Sequence, residues 1–155
     1  MEIISEDIFK CKEDIIVHQV NCQGVMGSGI ALQVKQLYPE VFKGYEYYCK
    51  TRKVEDILGS SLICEANDGK YIANLFGQNK YGKGLQTDYE AFKHALIEIH
   101  DFAKEHNLSV AIPYKIGSNL AGGDWNTIFD IITEVFSDNV EFNIYKLDKG
   151  EKYGG

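Results

Sequence analysis

From His18 to Glu40 the chain reads HQVNCQGVMGSGIALQVKQLYPE: an apolar, β-branched run ends in Asn-Cys-Gln, passes three glycines and re-emerges with helical periodicity. Few folds accommodate that order. A strand that feeds a helix through a short glycine-rich turn needs a sheet with helices packed on its faces. Glycine is required where the backbone takes a positive φ, or where a ligand comes closer than a Cβ permits.

The remaining segments repeat the alternation. DIIVHQV (14–20), SLICEA (61–66), YIANLF (71–76), SVAIPY (109–114) and VEFNIYKL (140–147) are short β-branched or aromatic runs that read as buried strands, with a further short strand at 2–5. NDGK between the second and third of these runs is a turn signal, so that pair is expected to form a hairpin and the sheet to be mixed. In TDYEAFKHALIEIHDFAKEHN, Ala91, Phe92, Ala95, Leu96, Ile99, Phe102 and Ala103 recur at three- and four-residue steps, with Thr87 or Asp88 as the N-cap and Asn107 as the stop. GGDWNTIFDIITEVFSDN repeats the pattern behind Asp124. Helices over 29–37 and 39–53 divide at Pro39, because proline opens a helix but cannot continue one. The expected fold class is α/β: three α/β/α layers with a central mixed β-sheet flanked by helices.

Composition narrows the function. With 155 residues and 45% hydrophobic content the chain suits one domain over 1–148, followed by a flexible tail at 149–155. A formal charge of −7 without a Lys/Arg-rich block excludes an extended nucleic-acid surface. There is neither an eighteen-residue apolar run nor the layout of a signal peptide, so a cytoplasmic protein with no membrane partner is expected. Cys11, Cys22, Cys49 and Cys64 share no CxxC spacing, which reads as reduced thiols and no metal site.

The glycine turn leaves the carboxyl end of a strand and enters a helix, where open α/β sheets bind ligands and free N–H groups attract phosphate. The spacing of Gly24, Gly27 and Gly29 is neither GxGxxG nor a P-loop. IGSNLAGGDW (116–125) is a second loop of the same kind. Two such loops on one sheet edge can hold two phosphates from opposite sides; the alternative is two tight connections with glycines for steric fit.

VHQVNCQGVMGSGIA together with IPYKIGSNLAGGDW resembles the macrodomains, the ADP-ribose-binding family, and within it the branch of terminal ADP-ribose glycohydrolases, DNA ADP-ribosyl glycohydrolase antitoxins and the yeast-type ADP-ribose 1''-phosphate phosphatase. The resemblance implies that Asp7, with the backbone of Ile8, meets the adenine amine and that Asn21 lies over the distal ribose. It implies that Gly24, Val25, Met26, Gly27, Ser28 and Gly29 take one side of the pyrophosphate. The other side falls to Ile116, Gly117, Ser118, Asn119, Leu120 and Ala121. Tyr145 is a candidate to stack on the adenine. In the glycohydrolases of this branch a lysine and an acid stand where this chain has Gln78 and Ala121. The phosphatase is the better match, since its His-x-x-Asn-Cys-Asn-Gly parallels HQVNCQG; His18, as general acid or base, and Asn21 are then the catalytic candidates. The resemblance thus leads us to expect a monomeric hydrolase converting ADP-ribose 1''-phosphate to ADP-ribose, with ADP-ribose or a phosphorylated derivative as its partner and no cofactor. The alternatives are a non-catalytic ADP-ribose-binding module, and a glycohydrolase working through Lys80 or Lys83.

Overall fold

The computed structural model describes residues 1–147, so the tail expected at 149–155 lies outside the described residues. The strands are β1 (Ile3–Ile4), β2 (Ile15–Val20), β3 (Ser61–Glu65), β4 (Tyr71–Phe76), β5 (Val110–Pro113) and β6 (Phe142–Tyr145). The helices are α1 (Gly29–Leu37), α2 (Pro39–Thr51), α3 (Val54–Ile57), α4 (Tyr89–His106) and α5 (Trp125–Val135). A 3₁₀ turn at Ile8–Lys10 precedes β2.

The sheet order is β1-β6-β5-β2-β4-β3. Among the described residues only β3 runs antiparallel, paired to β4 in the hairpin that NDGK closes; the other pairings are parallel. The mixed three-layer sheet read from the sequence is therefore the fold. Strand periodicity assigns the faces. Ile15 and Val17 pack against α4 and α5, whereas Ile16 and Val20 pack against α1 and α2. On that alternation Gln19 falls on the α4–α5 side and His18 on the α1–α2 side.

Local chemistry sets the helix ends. Asp88 and Asp124 each accept a backbone N–H of the first turn, from Ala91 and Thr127, and Asn107 closes α4 in the left-handed conformation with φ 56°. The helix expected over 39–53 stops at Thr51 and is followed by the single turn α3, which is too short to leave a periodic signature. Among the described residues no helix is long and apolar enough to cross a membrane.

The segment between β1 and β2 is strapped to β6. The buried Glu13 carboxylate accepts from Tyr145 Oη at 2.5 Å and from Asn143 Nδ2 at 2.7 Å. Tyr145 is only 1% exposed, so the structure spends this side chain on the strap and leaves no ring face for an adenine.

From β2 the chain runs through α1 to α3 toward β3 at one end of the sheet, and from β5 it runs through α5 to β6 toward the other. Adjacent strands whose crossovers lead apart open a crevice above their carboxyl ends.

Candidate functional site

That crevice is a cavity of about 620 Å³, large enough for a drug-sized ligand. The end of β2 and its loop contribute His18, Asn21, Val25, Gly27 and Ser28, and the first turn of α1 adds Ile30 and Ala31. The loop after β5 contributes Ile116, Gly117, Asn119, Leu120 and Ala121. Both glycine loops therefore meet at one cavity, as their placement after parallel strands requires. Ser28 stands at the N-cap of α1 with its hydroxyl unspent on capping, so the helix start presents free N–H groups at the wall.

A third wall was not legible in the sequence. The segment leaving β4 passes over the carboxyl end of β2, because β4 and β5 flank that strand. It then joins the β5 loop: Gln86 N and Thr87 N donate to Ala121 O at 2.8 and 3.2 Å. Gln78 and the stretch Tyr81 to Gly84 on this bridge line the cavity. A chain of amides fastens it from below. Gln19 Nε2 donates to Gln78 Oε1 at 2.8 Å and to Thr87 Oγ1 at 3.0 Å, Gln78 Nε2 donates to Lys80 O at 2.7 Å, and Thr87 Oγ1 donates to Gly117 O at 2.7 Å. Thr87 is thus a tie between loops rather than the helix cap, a position taken by Asp88. The detectable signal was Gln19 itself, a polar side chain in register with Ile15 and Val17.

Burial and charge mark the cavity further. Folded domains leave few buried polar atoms unpaired. Here the buried side-chain atoms without a partner among the described residues are His18 Nδ1, Gln19 Oε1 and Ser118 Oγ, all on the arms of this cavity. The wall contains Lys83 and no carboxylate, although the chain holds 23 acids against 16 lysines and arginines.

His18 Nε2 lies 2.7 Å from Asn74 Oδ1, while Asn74 Nδ2 donates to Leu62 O at 3.0 Å. The amide is thereby oriented with its oxygen toward the ring, so Nε2 carries the proton and Nδ1 keeps a lone pair. Burial pushes the His18 pKa down from 6.5 to about 4, against the opposing effect of the hydrogen bond the ring donates to Asn74. At neutral pH the ring is uncharged: the general-acid half of the expectation for His18 has no spare proton behind it, and the base half retains a weak lone pair. As pH falls through 6.5 the unfolded chain takes up this proton first, so stability rises with pH between about 4 and 6.5 and is fully present above that window. Urea denaturation should show the parent losing about 2 kcal/mol more than His18→Leu between pH 7 and pH 5. Equal losses would contradict the buried neutral ring.

Asn21 is a hub of its own loop. Nδ2 donates to Val25 O at 2.8 Å, Oδ1 accepts from Gln23 N at 2.9 Å, and Tyr45 Oη reaches Asn21 O at 2.7 Å and Oδ1 at 2.9 Å. Several expected contacts sit behind the wall rather than on it. Met26 is core, Gly24 takes φ 78° against Cys49, Gly29 opens α1, and the hydroxyl of the half-buried Ser118 is covered. Asp7 lies beyond the carboxyl end of β1 and caps the 3₁₀ turn, accepting from Phe9 N at 3.0 Å, with Ile8 buried beside it. Both stand outside the cavity wall proper, on the same sheet edge. Asp124 caps α5 and its pKa is lowered by the Thr127 hydroxyl and N–H, which accounts for it without catalysis. Burial pushes the Cys22 thiol up to about 12, so it supplies no thiolate nucleophile.

Residues 17–132 match the model of the Macro domain family. The DNA ADP-ribosyl glycohydrolases of Mycobacterium bovis and Mycobacterium tuberculosis are 32% identical over 154 residues, 96% of this chain but 42% of theirs, so the chain spans about two fifths of those relatives. The ADP-ribose 1''-phosphate phosphatase of Scheffersomyces stipitis is 26% identical over 157 residues, covering 86% of this chain and 88% of its own. Among solved structures, the macrodomain of Mycobacterium tuberculosis DarG superposes with a TM-score of 0.81 at 32% identity, over 94% of this chain and 97% of that one.

Proposed function

The chain belongs to the Macro domain family, and from that premise we propose that its carboxyl-edge cavity binds ADP-ribose and hydrolyses the terminal phosphate of ADP-ribose 1''-phosphate. The observation that carries the binding is the wall: Lys83, the start of α1 and the two glycine loops line a volume of about 620 Å³ with no carboxylate, in a chain of net charge −7. Local field outweighs net charge for an anionic ligand. The diphosphate sits between the loops after β2 and β5, and the distal ribose lies toward Asn21. Adenine lies toward Asp7.

In the reaction, water attacks phosphorus, the bond from phosphorus to the anomeric oxygen breaks, and the proton that His18 takes from the attacking water passes on to that oxygen, giving inorganic phosphate and ADP-ribose. His18 Nδ1 is the acceptor for the proton of the attacking water, Asn21 holds the loop that positions the ribose, and backbone N–H groups stabilise charge on the phosphoryl oxygens. Likeness to the Scheffersomyces stipitis phosphatase over most of both chains supports this reading.

A binding module without turnover is the second reading, favoured by the low basicity of His18 and by Gln78 and Ala121, neither of which can act as nucleophile or acid. Glycohydrolysis through Lys80 or Lys83 has less support: Lys80 is not among the residues of the cavity wall, Lys83 lies on the wall but in the exposed turn beyond the position where the resemblance expects a lysine, and that position is Gln78, committed at both ends.

Phosphorus NMR of ADP-ribose 1''-phosphate with the parent, His18→Ala and Asn21→Ala tests the choice. Inorganic phosphate produced by the parent alone supports the phosphatase; shifted diphosphate signals without turnover assign the chain to binding. For the adenine end, Asp7→Ala should weaken ADP-ribose by about 1–3 kcal/mol, the scale of a lost polar contact. An unchanged dissociation constant would refute that placement.

A further inference from the structure

Resting on the reading of the cavity as an ADP-ribose site, we propose that Lys83 determines specificity for a phosphomonoester carried on the ribose distal to adenine. The order of elements along the sheet edge supplies the direction. Asp7 stands beyond β1, the diphosphate loops follow β5 and β2, and the bridge from β4 comes last, across the end of β2. A ligand with its adenine at the Asp7 end and its diphosphate between the two loops directs its distal ribose, and whatever that ribose carries, at the bridge.

Lys83 is held there in a defined way. Gln86 Nε2 donates to Lys83 O at 3.0 Å, Gly82 and Gly84 on either side take φ 118° and 88°, and the Gly84 carbonyl backs directly onto Gly122 of the facing loop. The turn is pinned while Lys83 itself is exposed. Its ammonium has no ion-pair partner among the described residues, and the wall it borders holds no carboxylate to neutralise it. Lysine acts on phosphate as a compact point charge, and a phosphomonoester adds close to two negative charges at neutral pH. The N–H groups of the α1 start serve the diphosphate, which ADP-ribose and its phosphorylated form share. A separate cation at the far end is what tells the two apart.

The test is calorimetric titration with ADP-ribose and with the methylenephosphonate analogue of ADP-ribose 1''-phosphate, which cannot turn over. The parent should prefer the phosphonate by about fivefold, and the preference should shrink as salt is raised. Lys83→Gln should remove most of that ratio, Lys83→Arg should keep it, and Lys80→Gln should keep it because Lys80 is not part of the wall. A ratio near one in the parent, a ratio that survives Lys83→Gln, or one that Lys80→Gln removes equally would overturn the proposal and leave the ADP-ribose site standing. A parent chain that binds neither compound would overturn both.

Discussion

Gly122→Ala should cost about 2–4 kcal/mol of stability and weaken ADP-ribose binding at least tenfold, as the sum of a left-handed residue given a Cβ and an overpacked contact. Gly122 has φ 75°, and a Cβ there would lie 2.5 Å from Gly84 O, 3.0 Å from Gly84 C and 3.2 Å from Leu85 Cα. All three are backbone atoms, so no rotamer change relieves the overlap. Either the β5 loop or the bridge must move, and that contact joins two walls of the cavity. Gly44→Ala is the internal comparison: a Cβ at this position inside α2 would meet nothing within 4 Å, and the variant should gain up to about 1 kcal/mol from helix propensity. Urea denaturation and an ADP-ribose titration read both effects. A Gly122→Ala protein as stable and as tight-binding as the parent would show that the bridge does not press on the loop.

Asn21→Ala should cost about 2–4 kcal/mol and reduce ADP-ribose affinity by more than tenfold, because it removes several hydrogen bonds of one loop at once, one of them to the buried Tyr45 hydroxyl. Val25 O loses its 2.8 Å donor and keeps only the long contact from Tyr45 Oη at 3.5 Å, Gln23 N loses its acceptor, and the Tyr45 hydroxyl loses Asn21 Oδ1 while keeping the Asn21 carbonyl. The loop from Cys22 to Ser28 then has no internal frame. Tyr45→Phe separates the parts, since it removes one buried hydroxyl and should cost about 1 kcal/mol. If Tyr45→Phe matched Asn21→Ala in both measurements, the hub would lie in the helix contact rather than in the Asn21 side chain.

The sequence disclosed those parts of the site that local rules control. The strand over IIVHQV, the cap at Asp124, the stop at Asn107 and the hairpin at NDGK each depend on a few neighbouring residues, and each stands in the structure as read, while of the two caps offered for α4 the structure takes Asp88. Both glycine loops could be put on one edge because the strands before them are parallel. The bridge could not be read in this way. Its role comes from Gln86 and Thr87 meeting Ala121, and from Gln19 meeting Gln78 and Thr87, pairs separated by dozens of residues with no periodic trace. The same distance hid the strap through Glu13, so that Tyr145 looked available for a ligand when a carboxylate 132 residues away had claimed its hydroxyl. His18 was legible as a polar residue in an apolar strand, but its low pKa depends on how completely the sheet and α1 cover it.

Calorimetric titration of the parent chain with ADP-ribose, run beside Gly122→Ala, asks directly whether the cavity over β2 and β5 is the ligand site. The parent should bind one equivalent, and the variant should bind at least tenfold more weakly. An absence of binding by the parent, or equal affinity in the two proteins, would place the ligand elsewhere or nowhere on this chain.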